Sequence, residues 1–65
     1  MRKLTVTVRP ILDNPNWDFA VGVSCEGIAT RWECYGSGGQ STIDAITAGL
    51  VREARAFLAA QASDT

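Results

Sequence analysis

Two hydrophobic periodicities follow each other along this chain, and they limit the folds that it can adopt. From Lys3 to Arg9, apolar and polar residues alternate strictly, which is typical of a strand with one buried face. From Ser41 onward, apolar residues recur at helical spacing instead. Because the chain has only 65 residues, it has room for one small domain in which a helix covers a sheet.

A second alternating segment, WDFAVGVSCEGIATRWECYG, contains a turn signal at Glu26-Gly27. With these two residues as the turn, Val21 pairs with Trp32 and Phe19 pairs with Cys34, so that one apolar face continues across both strands. The predicted residues of this core face are Trp17, Phe19, Val21, Val23, Cys25, Ile28, Thr30, Trp32 and Cys34. The two cysteines then lie far apart along the hairpin, which predicts free thiols and a reducing compartment.

The helical segment carries one apolar stripe and an N-terminal capping signal. The stripe consists of Ile43, Ile46, Leu50, Ala54, Phe57 and Leu58. Ser41 is followed three residues later by Asp44, which resembles a capping box and predicts Ser41 as the N-cap.

These patterns predict an α+β domain of order β-β-β-α that spans residues 1–65. Its three-stranded antiparallel meander covers residues 3–9, 17–25 and 28–35. One C-terminal helix over residues 42–61 packs on one face of the sheet, and a frayed tail begins at about residue 62.

The glycine-rich segment YGSGGQST before the helix resembles a phosphate-binding loop in composition only. A P-loop requires a lysine where this chain has Gln40. We therefore expect Gly36, Gly38 and Gly39 to provide turns with positive φ. Anion binding by Gly38, Gly39 and Ser41 at the helix N-terminus is the alternative.

Composition argues against several classes of function. The chain has no histidine, which excludes histidine-dependent catalysis and histidine metal ligands. Its two cysteines are too few for a four-ligand zinc site, and its carboxylates are scattered. Six basic and seven acidic residues give a net charge of −1, which disfavours a large nucleic-acid surface. We predict a cytoplasmic, non-enzymatic protein without cofactor, metal or membrane association.

Two surfaces are candidates for protein binding. The sheet face away from the helix is predicted to carry Arg9, Arg31, Glu33 and Tyr35 among small residues. The outer side of the helix is smooth, with Ala45, Gly49, Arg52 and Ala56. We predict a homodimer, formed either through the edge of the first strand or through this side of the helix.

The residues from Leu4 to Leu58 resemble the HicB-like antitoxin N-terminal domain, a half ribonuclease H-like β-β-β-α fold. The resemblance consists of an alternating first strand ending in Pro10, an acidic turn, a second strand led by aromatic residues, a third strand, and GGQST followed by an alanine-rich helix. Cys25-Glu26-Gly27 replaces the proline-containing segment that is typical of the family. The resemblance implies dimerisation and the binding of a partner protein.

The leading hypothesis is therefore a protein-interaction module that binds and occludes a partner protein. It would act as an antitoxin or as a small inhibitor of the anti-CRISPR type, encoded by a phage or another mobile element. The alternatives are a nucleic-acid-binding protein that uses Arg9, Arg31, Arg52 and Arg55, or a small-ligand or anion binder at the loop of residues 36–41.

Overall fold

The computed structural model describes residues 3–63, with side chains described as far as residue 61. Strands β1 (Leu4–Pro10), β2 (Phe19–Cys25) and β3 (Arg31–Gly36) form an antiparallel sheet in the order β1-β2-β3. Helix α1 (Gln40–Ser63) follows and packs on the sheet. This confirms the predicted α+β class and the order β-β-β-α. The helix extends two residues beyond its predicted end, and the rest of the predicted frayed tail lies outside the described residues.

The register between β2 and β3 differs from the predicted one by two residues. Val23, rather than Val21, lies opposite Trp32, and Phe19 lies opposite Gly36. A shift of two residues keeps every side chain on its original face, so the burial pattern alone does not distinguish the two registers. The predicted turn does form, because Gly27 has a φ of 79°. However, β3 begins only at Arg31, and residues 28–30 lie between the strands.

The core lies between β2, β3 and the apolar stripe of α1. Val21, Val23 and Ala54 are completely buried, and Leu50 is buried beside them. The partly buried residues that pack against this cluster are Leu4, Trp32, Cys34, Ile43, Ile46 and Val51. At one end, Trp32 meets Phe57 edge-on with ring centroids 5.4 Å apart. The helix is therefore centred over β2 and β3.

Strand β1 presents its apolar face to the helix side of the sheet but receives little cover there. Val6 and Val8 lie opposite Val23 and Val21 in the register, so all four side chains point the same way. Yet Val6 is 42% exposed and Val8 is 48% exposed. Because one helix about 10 Å wide cannot cover three strands at about 4.8 Å spacing, the outermost strand is left open.

The start of α1 corrects the predicted helix cap. The Gly39 carbonyl accepts the N–H groups of Thr42 (3.1 Å) and Ile43 (3.2 Å), which makes Gly39 the N-cap. Ser41 lies inside the first turn instead. The side-chain amide of Gln40, rather than a serine, bonds the Asp44 carboxylate at 2.9 Å.

The glycines that precede α1 differ in backbone conformation and in surroundings. Gly38 alone among Gly36, Gly38 and Gly39 has a positive φ, of 123°, so the expected positive values at the other two are wrong. Gly36 belongs to β3, and a Cβ there would lie 2.7 Å from Ile46 Cδ1 and 2.9 Å from Phe19 Cε1. Gly36 therefore allows the helix to approach the sheet closely.

Both cysteines are free, as predicted. Cys25 is buried, and Cys34 is half-buried against the core. Cys34 lies opposite Val21, four residues from Cys25 along the hairpin, which corresponds to about 13 Å. That separation is shorter than the predicted register implies but still beyond disulfide reach. Within residues 3–63, no helix combines the length and the apolar character that crossing a membrane requires.

Candidate functional site

The sheet surface that α1 leaves uncovered, called here the open face, carries most of the residues predicted to bind a partner. Its strand residues are Thr5, Thr7, Arg9, Ala20, Gly22, Ser24, Arg31, Glu33 and Tyr35. Arg9 is contributed by β1, whereas Arg31, Glu33 and Tyr35 are contributed by β3. The structure therefore brings all four predicted residues to one surface.

The segment just before β2 adds an aromatic residue, Trp17, to this face. Phe19 lies opposite Gly36, and the preceding Asp18 also donates its backbone N–H to the Gly36 carbonyl at 2.9 Å. Two residues facing one is the arrangement of a β-bulge, which shifts the alternation of side chains by one. The prediction that Trp17 belongs to the core is therefore wrong, because Trp17 lies beside Tyr35 instead.

Trp17 and Tyr35 form an exposed aromatic pair. Their rings meet edge-on with centroids 6.4 Å apart and an interplanar angle of 84°. Trp17 is 41% exposed and Tyr35 is 42% exposed. The two rings restrict each other. This protein therefore loses little side-chain entropy when a partner binds here and orders them.

The centre of the open face is formed by small residues of β2. Ala20 is buried, and so is Gly22, although α1 packs on the other side of the sheet. Their neighbours provide the cover, because a Cβ on Gly22 would lie 3.2 Å from Arg31 Nη2 and 2.9 Å from Thr7 Oγ1. The guanidinium of Arg31 thus lies close above the middle strand.

A second arginine reaches across the same strand. Arg9 Nη2 lies 3.9 Å from Glu33 Oε1, and both side chains remain exposed. Arg9 is opposite Ala20, and Glu33 is opposite Gly22, so the pair crosses β2 diagonally. A long, weak ion pair of this kind is easily exchanged for a contact with another molecule.

The chemistry of the open face is suited to binding. Tryptophan, tyrosine and arginine are the residues enriched at the centres of protein interfaces, and Trp17, Tyr35 and Arg9 are exposed on this face. Within residues 3–63, no group of three or more His, Cys, Asp or Glu residues is placed to hold a metal ion.

The glycine loop is tethered to the loop between β1 and β2. The Gly38 N–H donates to Asp18 Oδ2 at 3.2 Å, and the Ser37 hydroxyl donates to the Asn16 carbonyl at 3.0 Å. The Asp18 carboxylate thus already accepts a hydrogen bond from the Gly38 N–H, which is one of the groups to which an anion would bind. This geometry weighs against the anion-binding alternative at Gly38, Gly39 and Ser41.

The four arginines of the nucleic-acid alternative do not form one surface. Arg9 and Arg31 lie on the open face, whereas Arg52 and Arg55 are exposed on α1, which packs on the opposite side of the sheet. The helix surface that carries Arg52 also contains Ala45, Gly49 and Ala56. These residues lie outside the apolar stripe, as the sequence predicts.

Leu12 is a further exposed residue that the sequence patterns did not single out. It lies in the loop after β1 and is 91% exposed, the highest value among the exposed large apolar side chains. Its position between Ile11 and the acidic turn is the one signal that could have identified it. A leucine held this far out of the core is a candidate contact for another molecule.

Comparisons with protein-family models, with curated proteins and with solved structures found no match to this chain. The resemblance to the HicB-like antitoxin N-terminal domain therefore stays a prediction.

Proposed function

We propose that this protein is a non-enzymatic interaction module that binds a partner protein through its open face. The observation that carries the proposal is the exposed, mutually restricted pair of Trp17 and Tyr35 beside the arginines of the same face. An anchor of aromatic rings with arginines around it is how stable protein interfaces are commonly built.

The mechanism that we propose is steric occlusion. The partner contacts the two rings and exchanges the exposed ion pair of Arg9 and Glu33 for pairs of its own. Binding then covers a functional surface of the partner without any chemical step. An antitoxin or a small inhibitor encoded by a mobile element, acting in the cytoplasm, would work in this way.

A paired capture experiment tests the proposal. The tagged protein is used to capture partners from the lysate of its native cell, with and without nuclease, beside two matched double variants. Arg31→Glu with Tyr35→Ala alters the open face, whereas Arg52→Glu with Arg55→Ala makes a comparable change on the exposed surface of the helix. Circular dichroism verifies that both variants remain folded.

We expect the wild type to capture a stoichiometric partner protein with or without nuclease. The open-face variant should fail to capture this protein, whereas the helix variant should still capture it. Retention by both variants would place the interface elsewhere and refute the role of this face. Recovery that depends on nucleic acid, with affinity falling steeply as salt is raised, would replace the proposal with the nucleic-acid alternative.

A further inference from the structure

Along the outer edge of β1, the residues whose backbone groups point away from β2 are also the residues with apolar side chains. The Glu26 N–H donates to the Lys3 carbonyl at 3.1 Å, and the Ile11 N–H donates to the Asp18 carbonyl at 3.0 Å. Because backbone groups alternate in an antiparallel ladder, the odd-numbered residues of β1 point theirs at β2 and the even-numbered residues point theirs outward. The outward-pointing residues are Leu4, Val6, Val8 and Pro10.

The first five residues of this edge lack the features that normally prevent strands from pairing, which begin only at Arg9 and Pro10. From Leu4 to Val8 it contains no charge and no proline, and its register with β2 is unbroken. Within residues 3–63, no segment lies along its outer side. The side chains of Val6 and Val8 are about half exposed, because α1 covers β2 and β3 instead.

We infer that β1 pairs antiparallel with β1 of a second copy of this chain, around a two-fold axis at Thr7. A two-fold interface requires a surface that complements itself. The residues on either side of Thr7 are both valine, so Val6 of one copy faces Val8 of the other, and the reverse. Each pair exchanges backbone hydrogen bonds and covers apolar surface on the helix side of the sheet.

Charge disfavours the neighbouring register that has its axis at Val6. An axis at Val6 would place Lys3 opposite Arg9 of the second copy, and like charges in that position repel. The axis at Thr7 places Arg9 opposite Thr5 instead. A shift by a single residue would set core-facing side chains against those of the open face, which the pleat does not allow.

The chain exposes more surface than a typical compact monomer of its mass. The chain exposes 4615 Å², whereas a compact monomer of 7.0 kDa exposes about 4,000 Å². The surplus of about 600 Å² is close to what one subunit contributes to the smallest specific interfaces. Pairing would give one six-stranded sheet with both open faces on the same side. The dimer does not depend on the proposed partner protein.

Disulfide trapping tests the register. At the two-fold axis, the two Thr7 residues form a non-hydrogen-bonded pair with Cα atoms about 4.5 Å apart, within disulfide reach. Thr7→Cys, in a chain whose native cysteines are replaced by alanine, is therefore expected to cross-link under mild oxidation. Thr5→Cys in the same background is the matched control, because it lies on the same face but four residues from its own copy. Thr7→Cys should cross-link at least about tenfold faster. Equal or faster cross-linking by Thr5→Cys would overturn the register.

Mass measurement tests the dimer itself. Light scattering or sedimentation should give twice the 7.0 kDa of the chain at high protein concentration. Val8→Lys should reduce the mass to that of a monomer, whereas Ala29→Lys, at an exposed apolar residue in the loop between β2 and β3, should leave the dimer intact. A wild-type monomer at millimolar concentration would refute the inference. If Val8→Lys fails to fold, the trapping result decides instead.

Discussion

On its helix side, β2 is buried by large apolar side chains, while on its open side it is buried by the long polar side chains of its neighbours. Val21 and Val23 lie completely buried under α1. On the opposite face, Ala20 and Gly22 are also buried, and the groups near Gly22 there include Thr7 Oγ1 and the guanidinium of Arg31.

The two sides of β2 differ in how easily the side chains that bury it can move. Tight packing on the helix side makes substitutions expensive, because protein cores have few voids and relax only partly. On the open side, the covering groups are the ends of flexible side chains that a partner can displace. Similar burial therefore marks a structural face in one case and, in the other, the face through which we propose that the protein binds a partner.

The largest effect on the free energy of unfolding is expected when Val21 and Val8, two valines that lie opposite each other in the sheet, are compared. Val21→Ala should lower the free energy of unfolding by about 2–3 kcal/mol, because its methyl groups are completely buried. Val8→Ala should cost about 1 kcal/mol or less, since Val8 is half exposed. Chemical denaturation at low protein concentration, where the monomer predominates, measures both. Equal losses would mean that β1 is covered as well as β2.

The next largest effect is expected when glycine is replaced by alanine on the helix side of the sheet and, for comparison, on the open face. Gly36→Ala should cost about 1–2 kcal/mol, because the new methyl group would overlap the Phe19 ring and Ile46 in the core. Gly22→Ala should cost less than about 1 kcal/mol, since the end of the Arg31 side chain can move aside and the exposed Thr7 can change its χ1 rotamer. Thermal melts of the two variants test this. A larger loss at Gly22 would show that the open face is as rigid as the core.

A third glycine should respond in the opposite direction. A Cβ on Gly49 meets no atom within 4 Å, and the residue lies inside α1. Gly49→Ala should therefore raise the free energy of unfolding by about 0.5–1 kcal/mol through helix propensity. Denaturant titration measures the gain. A loss would reveal that the outer side of the helix is packed against something, as a helix-mediated dimer would require.

The smallest expected effect on stability concerns the ion pair of the open face. Glu33→Gln should change the free energy of unfolding by no more than about 0.5 kcal/mol, because the pair is long and exposed. If the face binds a partner as proposed, the same variant should weaken that binding severalfold. Calorimetry of unfolding and of binding separates the two. A large loss of stability would assign Arg9 and Glu33 a structural role instead.

The fold was predictable from the sequence because alternation and helical spacing are local signals. Periodicity alone located three strands and one helix and assigned Val21 and Val23 to the core. It also assigned Arg9, Arg31, Glu33 and Tyr35 to one face. It placed Trp17 wrongly, because the bulge that moves this residue arises where Asp18 and Phe19 both meet Gly36 on another strand.

The sequence by itself determined which residues form each element and which face most of their side chains share. These properties follow from the period of two in a strand and of 3.6 in a helix. Only the tertiary structure decided the β2–β3 register, since both alternatives bury the same face. It also decided that the helix covers β2 and β3 and leaves β1 open, because the position of a helix across a sheet depends on close contacts such as those at Gly36, which no local pattern records.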